Sequence, residues 1–137
     1  MSETHANANP DRQQDSSPFL EYERLECYRL AIEFQAIAVR LCSERRLGAL
    51  RDQLERASVS IALNIAEGVG RRARADKAHF FTIARGSATE CAAILEVAAA
   101  RGLLGVPVQR HGRAQLIRIV QMLTRLMERP GRPGPVS

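Results

Sequence analysis

Four polar residues near the middle of the chain are spaced so that their side chains share one face of a helix. They follow one another at steps of four, four and three residues: Arg56, Ser60, Asn64 and Glu67. Residues three and four apart are neighbours on the surface of an α-helix. A guanidinium, a hydroxyl, an amide and a carboxylate in one row could bind a polar ligand or transfer a proton in a cleft. This row is therefore the first candidate for a ligand-binding or catalytic site.

A structural role for the same residues has stronger support. On the next apolar segment, Ser87 and Glu90 also share a helical face. If the two segments form an antiparallel hairpin that turns near Arg71, we expect an ion pair between Arg56 and Glu90. We also expect Asn64 to hydrogen-bond across the contact. A buried polar group costs about 1 to 3 kcal/mol unless it is paired, so we interpret six residues as a polar seam that sets helix register: Arg56, Ser60, Asn64, Glu67, Ser87 and Glu90.

Other kinds of catalytic or metal site have little support in the sequence. A di-metal site in a helical bundle needs carboxylates on facing helices and two Glu-x-x-His spacings, whereas the chain offers only Asp76-x-x-His79. It contains no Gly-x-Ser-x-Gly elbow and no glycine-rich phosphate loop. We therefore predict that the protein is not an enzyme and holds neither a metal nor a cofactor.

Positive charge is concentrated in short stretches. One stretch holds Arg71, Arg72, Arg74 and Lys77 against Asp76, and Arg45 and Arg46 form a second. Residues 110–137 carry six arginines against a single acidic residue, in a chain whose formal net charge is +5. Such an excess can mark a polyanion partner. It can equally be a solvated surface, and both interpretations stay open at this point.

Apolar residues recur at steps of three and four along most of the chain, which is typical of amphipathic helices. With no Trp and only 4% aromatic residues, the core must be aliphatic. We predict an all-α protein, an antiparallel up-down-up-down four-helix bundle over residues 21–129, between tails at 1–20 and 130–137. Gly68 and Gly70 are predicted to stop the second helix, with Gly68 in the left-handed conformation. The predicted helices are 24–43, 47–67, 73–101 and 109–128.

No apolar run reaches the roughly 18 to 20 residues needed to span a bilayer. The first residues lack the basic start and apolar stretch of a secretory signal, so we expect none. The three cysteines are odd in number and lack a Cys-x-x-Cys pair, so we expect reduced thiols and a cytoplasmic location. The first helix carries a second apolar stripe, formed by Leu30, Phe34, Ile37 and Leu41, and we expect this stripe to be exposed in a monomer. Such a stripe is typical of a subunit interface.

The stretches QLERASVSIALNIAEGVGRR and FFTIARGSATE, residues 53–72 and 80–90, resemble a bacterial four-helix-bundle family. This family includes proteins encoded in intervening sequences of large-subunit rRNA genes and the accessory variability determinants of diversity-generating retroelements. Its signature reads approximately QL-x-RA-x-x-SI-x-x-NIAEG-x-GR, followed by a phenylalanine, an alanine and GS-x-x-E. Those last positions are matched here by Phe80, Ala84, Gly86, Ser87 and Glu90. The resemblance implies a homopentameric ring, nucleic-acid binding through basic surface, and a reverse transcriptase as partner.

Together these features predict a non-enzymatic, oligomeric protein that binds RNA or DNA. The basic surface would surround the turn between helices two and three, with Arg45 and Arg46 at the same or the opposite end. With few aromatic residues available for base stacking, we expect contacts mainly to phosphate. Two alternatives remain: a protein-interaction scaffold that binds no nucleic acid, and a small-molecule site near Asn64, Glu67 and Glu90.

Overall fold

The computed structural model describes residues 25–43 and 45–128, and within those ranges the chain is helical with no strand. The predicted all-α class and the number of long helices are confirmed. The predicted tails 1–20 and 130–137 lie outside the described residues. A short 3-10 turn at Arg45–Leu47 connects the first two helices. The four α-helices are α1 at Glu26–Cys42, α2 at Ala49–Gly70, α3 at Arg74–Ala100 and α4 at Val106–Glu128.

Hydrogen bonds between α1 and α2 show the direction in which these helices pack. Gln35 Nε2 donates to the carbonyl oxygen of Ser58 at 2.8 Å, and Cys42 Sγ donates to that of Arg51 at 3.5 Å. Residue numbers rise on α1 as they fall on α2, so the two helices run antiparallel.

The same pattern holds between α3 and α4. Thr82 Oγ1 lies 3.4 Å from Met127 Sδ, and Arg85 Nη1 lies 3.2 Å from Thr124 Oγ1. Each helix packs on its neighbours in chain order, and α4 also packs on α1. These contacts fit the predicted up-down-up-down bundle.

The core is built from aliphatic side chains and a few aromatic rings. Each helix contributes at least one large side chain with no exposed surface, including Phe34 of α1, Ile61 of α2, Leu95 of α3 and Ile119 of α4. Burying such a side chain contributes about 1.5 to 3 kcal/mol.

The burial of Leu30, Phe34 and Leu41 corrects the prediction that the second apolar stripe of the first helix would be exposed in a monomer. These side chains are covered within the single chain because α4 packs on α1.

Gly68 does not end α2, which corrects the prediction. The helix continues through Gly68 to Gly70, and among the glycines of residues 45–128 those with positive φ are Gly48 and Gly102. Gly68 is buried, and a Cβ added there would lie 2.7 Å from Cε1 of Phe81. The residue is therefore a close-approach position between α2 and α3. The helix does end at Gly70, where Arg71 turns into extended backbone at φ −81° and ψ 148°.

A glycine stop of the predicted kind occurs instead at the end of α3. Gly102 has a φ of 74°, a left-handed value that favours glycine. Its backbone N–H donates to Ala99 O at 3.0 Å, and that of Leu103 donates to Ala98 O at 2.9 Å. This pair of bonds is the Schellman arrangement that satisfies the last carbonyls of a helix.

The start of α4 lies earlier in the chain than predicted. The predicted start is residue 109, whereas α4 begins at Val106 and includes Pro107. Proline is tolerated in the first turn of a helix because its missing N–H would have no intrahelical partner there. None of the helices within the described ranges has the length and apolarity that a membrane span requires.

Candidate nucleic-acid interface

Three residues of the predicted polar seam are in contact. Ser60 Oγ and Ser87 Oγ lie 2.8 Å apart and join α2 to α3. Asn64 Nδ2 donates to the carbonyl oxygen of Ser60 at 2.9 Å and to its hydroxyl at 3.0 Å. Asn64 therefore supports the crossing serine from within its own helix, rather than reaching α3 as predicted.

The charged members of the polar seam are not part of this network. Arg56 and Glu90 are both exposed, and no ion pair joins them, contrary to expectation. Glu67 pairs instead with Arg71 of its own chain segment, with Oε2 and Nη2 at 2.7 Å. Because the six side chains do not converge on one cleft, the geometry favours the structural interpretation over a ligand site.

Arg71, the first residue of the predicted basic surface, is held against the protein. Besides its ion pair with Glu67, its guanidinium carbon lies 4.7 Å from the centroid of the Phe80 ring. A cation in this position is attracted to the face of the ring. The charge of Arg71 is thus partly compensated within the chain.

Lys77 caps the end of α2. Its Nζ donates to the carbonyl oxygen of Val69 at 2.9 Å and to that of Gly68 at 3.4 Å. The last carbonyls of a helix lack backbone N–H partners, and a cation at that end also interacts favourably with the helix dipole. Lys77 is therefore a structural residue at the α2–α3 turn.

Replacing Lys77 with methionine is expected to lower the free energy of unfolding by about 1 to 2 kcal/mol, because two α2 carbonyls lose a charged donor. Urea denaturation measures the effect. Arg72→Met is the matched control, since Arg72 is exposed and makes no hydrogen bond or ion pair with the described residues. It should change stability by no more than about 0.5 kcal/mol. Equal effects of the two changes would contradict the capping role.

The predicted cations do not form one surface. Arg72 and Arg74 are exposed at the α2–α3 turn. Arg46 is exposed at the opposite end of the bundle, where it lines a groove together with Arg101. The side chain of Arg45 lies outside the described residues. The sequence left open whether Arg45 and Arg46 lie at the same end of the bundle as the α2–α3 turn or at the opposite end. Arg46 lies at the opposite end.

A third group of cations was not among the binding residues predicted from the sequence, where it contributed only to the count of positive charge. Its members are exposed along α4: Arg110, Arg113, Arg118 and Arg125. The signal that could have identified them is the arginine excess of residues 110–137, set against Glu128 alone.

An exposed apolar face lies on the outside of α2 and its neighbours. We define it by Ile32 of α1, Val59 and Leu63 of α2 and Ile83 of α3, of which Leu63 is 63% exposed. Ile32 and Val59 flank the contact between Gln35 and Ser58. Ile83 lies one helical turn before Ser87, which contacts α2. The four side chains therefore occur on adjacent parts of one surface.

Two of the three cysteines, Cys27 and Cys91, are unreactive residues packed in the core. All three are free thiols, and Cys27 and Cys91 are buried. Burial raises the pKa of Cys27 to about 11 and that of Cys91 to about 12. Both thiols are thus protonated at neutral pH and lack the thiolate that a nucleophile or metal ligand needs. Across the described ranges, no three His, Cys, Asp or Glu side chains are grouped in a way that could hold a metal ion.

Comparisons with known proteins found a family match and a solved structure with a similar fold. A family model described as 23S rRNA-intervening sequence protein matches residues 23–125. The fold is similar to the crystal structure of a protein of unknown function from the S23 ribosomal protein family of Bacteroides thetaiotaomicron VPI-5482. That likeness has a TM-score of 0.71 and 21% sequence identity, and covers 75% of this chain and 99% of the other. No curated protein matches the chain.

Proposed function

Because the chain belongs to the 23S rRNA-intervening sequence protein family, we propose that it is a non-enzymatic homo-oligomer that binds nucleic acid. The observation that carries this proposal is the excess of exposed arginine at the α2–α3 turn and along α4. Arginine presents a planar fork of donors that matches phosphate oxygens, and it is less strongly hydrated than lysine. The four exposed arginines of α4, together with Arg72 and Arg74 at the turn, favour a polyanionic partner.

Recognition should be of the backbone and not of base sequence. Base stacking requires exposed aromatic side chains, whereas the chain has four Phe, two Tyr and no Trp. Phe34 and Phe81 are buried in the core. The affinity should therefore depend on phosphate contacts, and so on salt.

Fluorescence anisotropy with a labelled RNA hairpin and a labelled DNA duplex tests the proposal. We expect binding to both, with little sequence preference. The logarithm of the binding constant should fall with the logarithm of salt concentration by about 0.9 per duplex phosphate contacted. A protein that binds neither probe at about 50 mM salt, the low end of the range in which such contacts are strong, would overturn the proposal.

Self-association is the second part of the proposal, and the exposed apolar face supports it. Apolar patches of this kind on soluble proteins mark interaction surfaces. Gly86 gives further support, because it is exposed within α3 and a Cβ added there would have no neighbour within 4 Å. A glycine inside a helix costs about 1 kcal/mol relative to alanine, so close approach of another chain would explain its use. The resemblance to the pentameric family implies five copies, which light scattering would measure directly.

The same apolar face could instead accept a different protein. The resemblance to accessory variability determinants suggests a reverse transcriptase as such a partner. If the protein is a scaffold without nucleic-acid binding, affinity purification after nuclease treatment should recover one stoichiometric protein, and the anisotropy titrations should be flat. A small-molecule site has less support, because Glu67 is engaged by Arg71 and Glu90 is exposed.

A further inference from the structure

Positive charge among the four helices is concentrated on α4. In α1, α2 and α3 the acidic and basic residues balance to within one charge. By contrast, α4 has one acidic residue, Glu128, and four arginines: Arg110, Arg113, Arg118 and Arg125. A surface helix with this imbalance attracts polyanions over distances of about a Debye length.

The α4 arginines make no ion pair or hydrogen bond with the residues that the structure describes, unlike Arg71 and Lys77 at the α2–α3 turn. Each α4 arginine is also exposed. At the turn, by contrast, Arg71 is paired with Glu67, and Lys77 donates to α2 carbonyls. A ligand phosphate would have to displace those interactions, whereas α4 can bind one without any such loss.

The length over which the four α4 arginines are spread suits a nucleic-acid backbone. Arg110 and Arg125 are fifteen positions apart, which corresponds to about 22 Å along an α-helix. That distance covers about six nucleotide steps at roughly 3.4 Å per step on one strand. Arg85 of α3 adds a further cation at the edge of α4, where its Nη1 lies 3.2 Å from Thr124 Oγ1.

The inner side of α4 argues against a lipid surface as its partner. Leu116, Ile119 and Leu123 are buried in the core of the bundle. A basic helix that binds in the membrane interface needs a free apolar face to insert, and in α4 that face is occupied. Phosphates presented by a nucleic acid require only the exposed arginines.

The position of α4 also leaves it accessible in an assembly. α4 packs on α1 and α3, whereas the exposed apolar face is centred on α2. Because α2 lies across the bundle from α4, chains that associate through the exposed apolar face would leave their α4 arginines outside. Several copies of the α4 arginines, one set from each chain, would then increase the avidity of the assembly for one long nucleic acid.

From these observations we infer that α4 is the primary nucleic-acid-binding surface, and that its four arginines contact backbone phosphates. The inference rests on the proposed function. It differs from the prediction made from sequence, in which the α2–α3 turn carries most of the binding. The turn contributes Arg72 at most as an auxiliary contact.

A charge-matched pair of variants tests the inference. One changes the α4 arginines to glutamine at positions 110, 113, 118 and 125. The control makes the same change at exposed arginines of α1 and α2, at positions 29, 40, 51 and 56. Both remove four positive charges, and both exchange residues of similar helix propensity. Circular dichroism and light scattering establish that each variant folds and assembles as the wild type does.

Binding to a DNA duplex of about two helical turns, and to an RNA hairpin of the same length, is then measured across a salt series. We expect the α4 variant to bind at least about 100-fold more weakly and to lose about 3 to 4 from the salt slope. The control should change the affinity by less than about 5-fold. Two results would overturn the inference alone, provided that the wild-type protein binds. Either both variants lose affinity equally, or the α4 variant keeps the salt slope of the wild type. Wild-type protein that binds neither probe would overturn the proposed function itself.

Discussion

Replacement of Gly68 by leucine is expected to lower the free energy of unfolding by about 3 kcal/mol, a large share of the roughly 5 to 15 kcal/mol typical of a domain. A Cβ at this position would lie 2.7 and 2.9 Å from two ring carbons of Phe81 and 3.2 Å from Cβ of Phe80. The Phe81 ring is rigid and buried, so it cannot swing aside as the end of a flexible chain would. The strain must move α2 away from α3.

Gly68→Ala should have a smaller effect, because the gain in helix propensity of about 1 kcal/mol offsets part of the overpacking. The control is Gly70→Ala in the same helix, where an added Cβ has no neighbour within 4 Å. We expect that variant to be as stable as the wild type or slightly more stable. Urea denaturation measures all three, and a Gly68→Leu protein with an unchanged midpoint would show that α2 and α3 do not require the close approach.

The second large effect is expected on assembly. Leu63→Glu should convert the protein from an oligomer to a monomer at concentrations where the wild type is assembled. Leu63 is 63% exposed in the single chain, so the substitution should alter the stability of the monomer by no more than about 0.5 kcal/mol. In an interface, the carboxylate would be buried without a partner, and a cost of about 3 kcal/mol corresponds to more than a 100-fold loss of affinity.

Light scattering at several protein concentrations measures the mass, and urea denaturation of the dissociated protein measures its stability. Gln121→Glu supplies the control, because it adds the same charge at an exposed position of α4. It should leave the mass unchanged. If Leu63→Glu retains the assembled mass, the exposed apolar face is not the subunit interface. A wild-type protein that is monomeric throughout would instead favour a different protein as the partner of this face.

The two predictions concern opposite sides of the same helix. Gly68 lies where α2 meets α3, next to the residues that hold the turn, whereas Leu63 lies on the outside. A defect at Gly68 should therefore appear in the unfolding of a single chain. A defect at Leu63 should appear only as a change in mass, and the pair separates the fold from the assembly.

Much of the fold could be predicted from the sequence because its cause is local. Apolar residues at steps of three and four predict the helices and most of their buried sides, including Ile61 and Ile119, but not which of the two stripes of α1 faces the core. The glycine stop at the end of α3 follows from the ease with which Gly102 adopts positive φ. The motif in residues 53–72 and 80–90 likewise indicated the rRNA intervening-sequence proteins, and the match of that family's model to residues 23–125 confirms this part of the resemblance.

Placement of polar side chains could not be predicted to the same degree, because several partners are equally near in sequence. Glu67 could pair along its helix or across to α3, and the local partner Arg71 is the one it contacts. The sequence predicts Lys77 to be part of the basic surface, yet its ammonium group donates to the carbonyls of α2. Such choices depend on distances of an ångström or two between helices, which periodicity does not specify.

By itself, then, the sequence determined the helices, the inner faces of α2, α3 and α4, and the family, since each depends on neighbours along the chain and on burial of apolar surface. Only the tertiary structure decided that Gly68 is a contact between helices and not a terminus, because that depends on the position of the Phe81 ring. It likewise separated Arg71 and Lys77, which are engaged at the turn, from the α4 arginines, which pair with none of the described residues. The physical reason is that the availability of a charge is a property of its surroundings in space, and sequence counts only the charge itself.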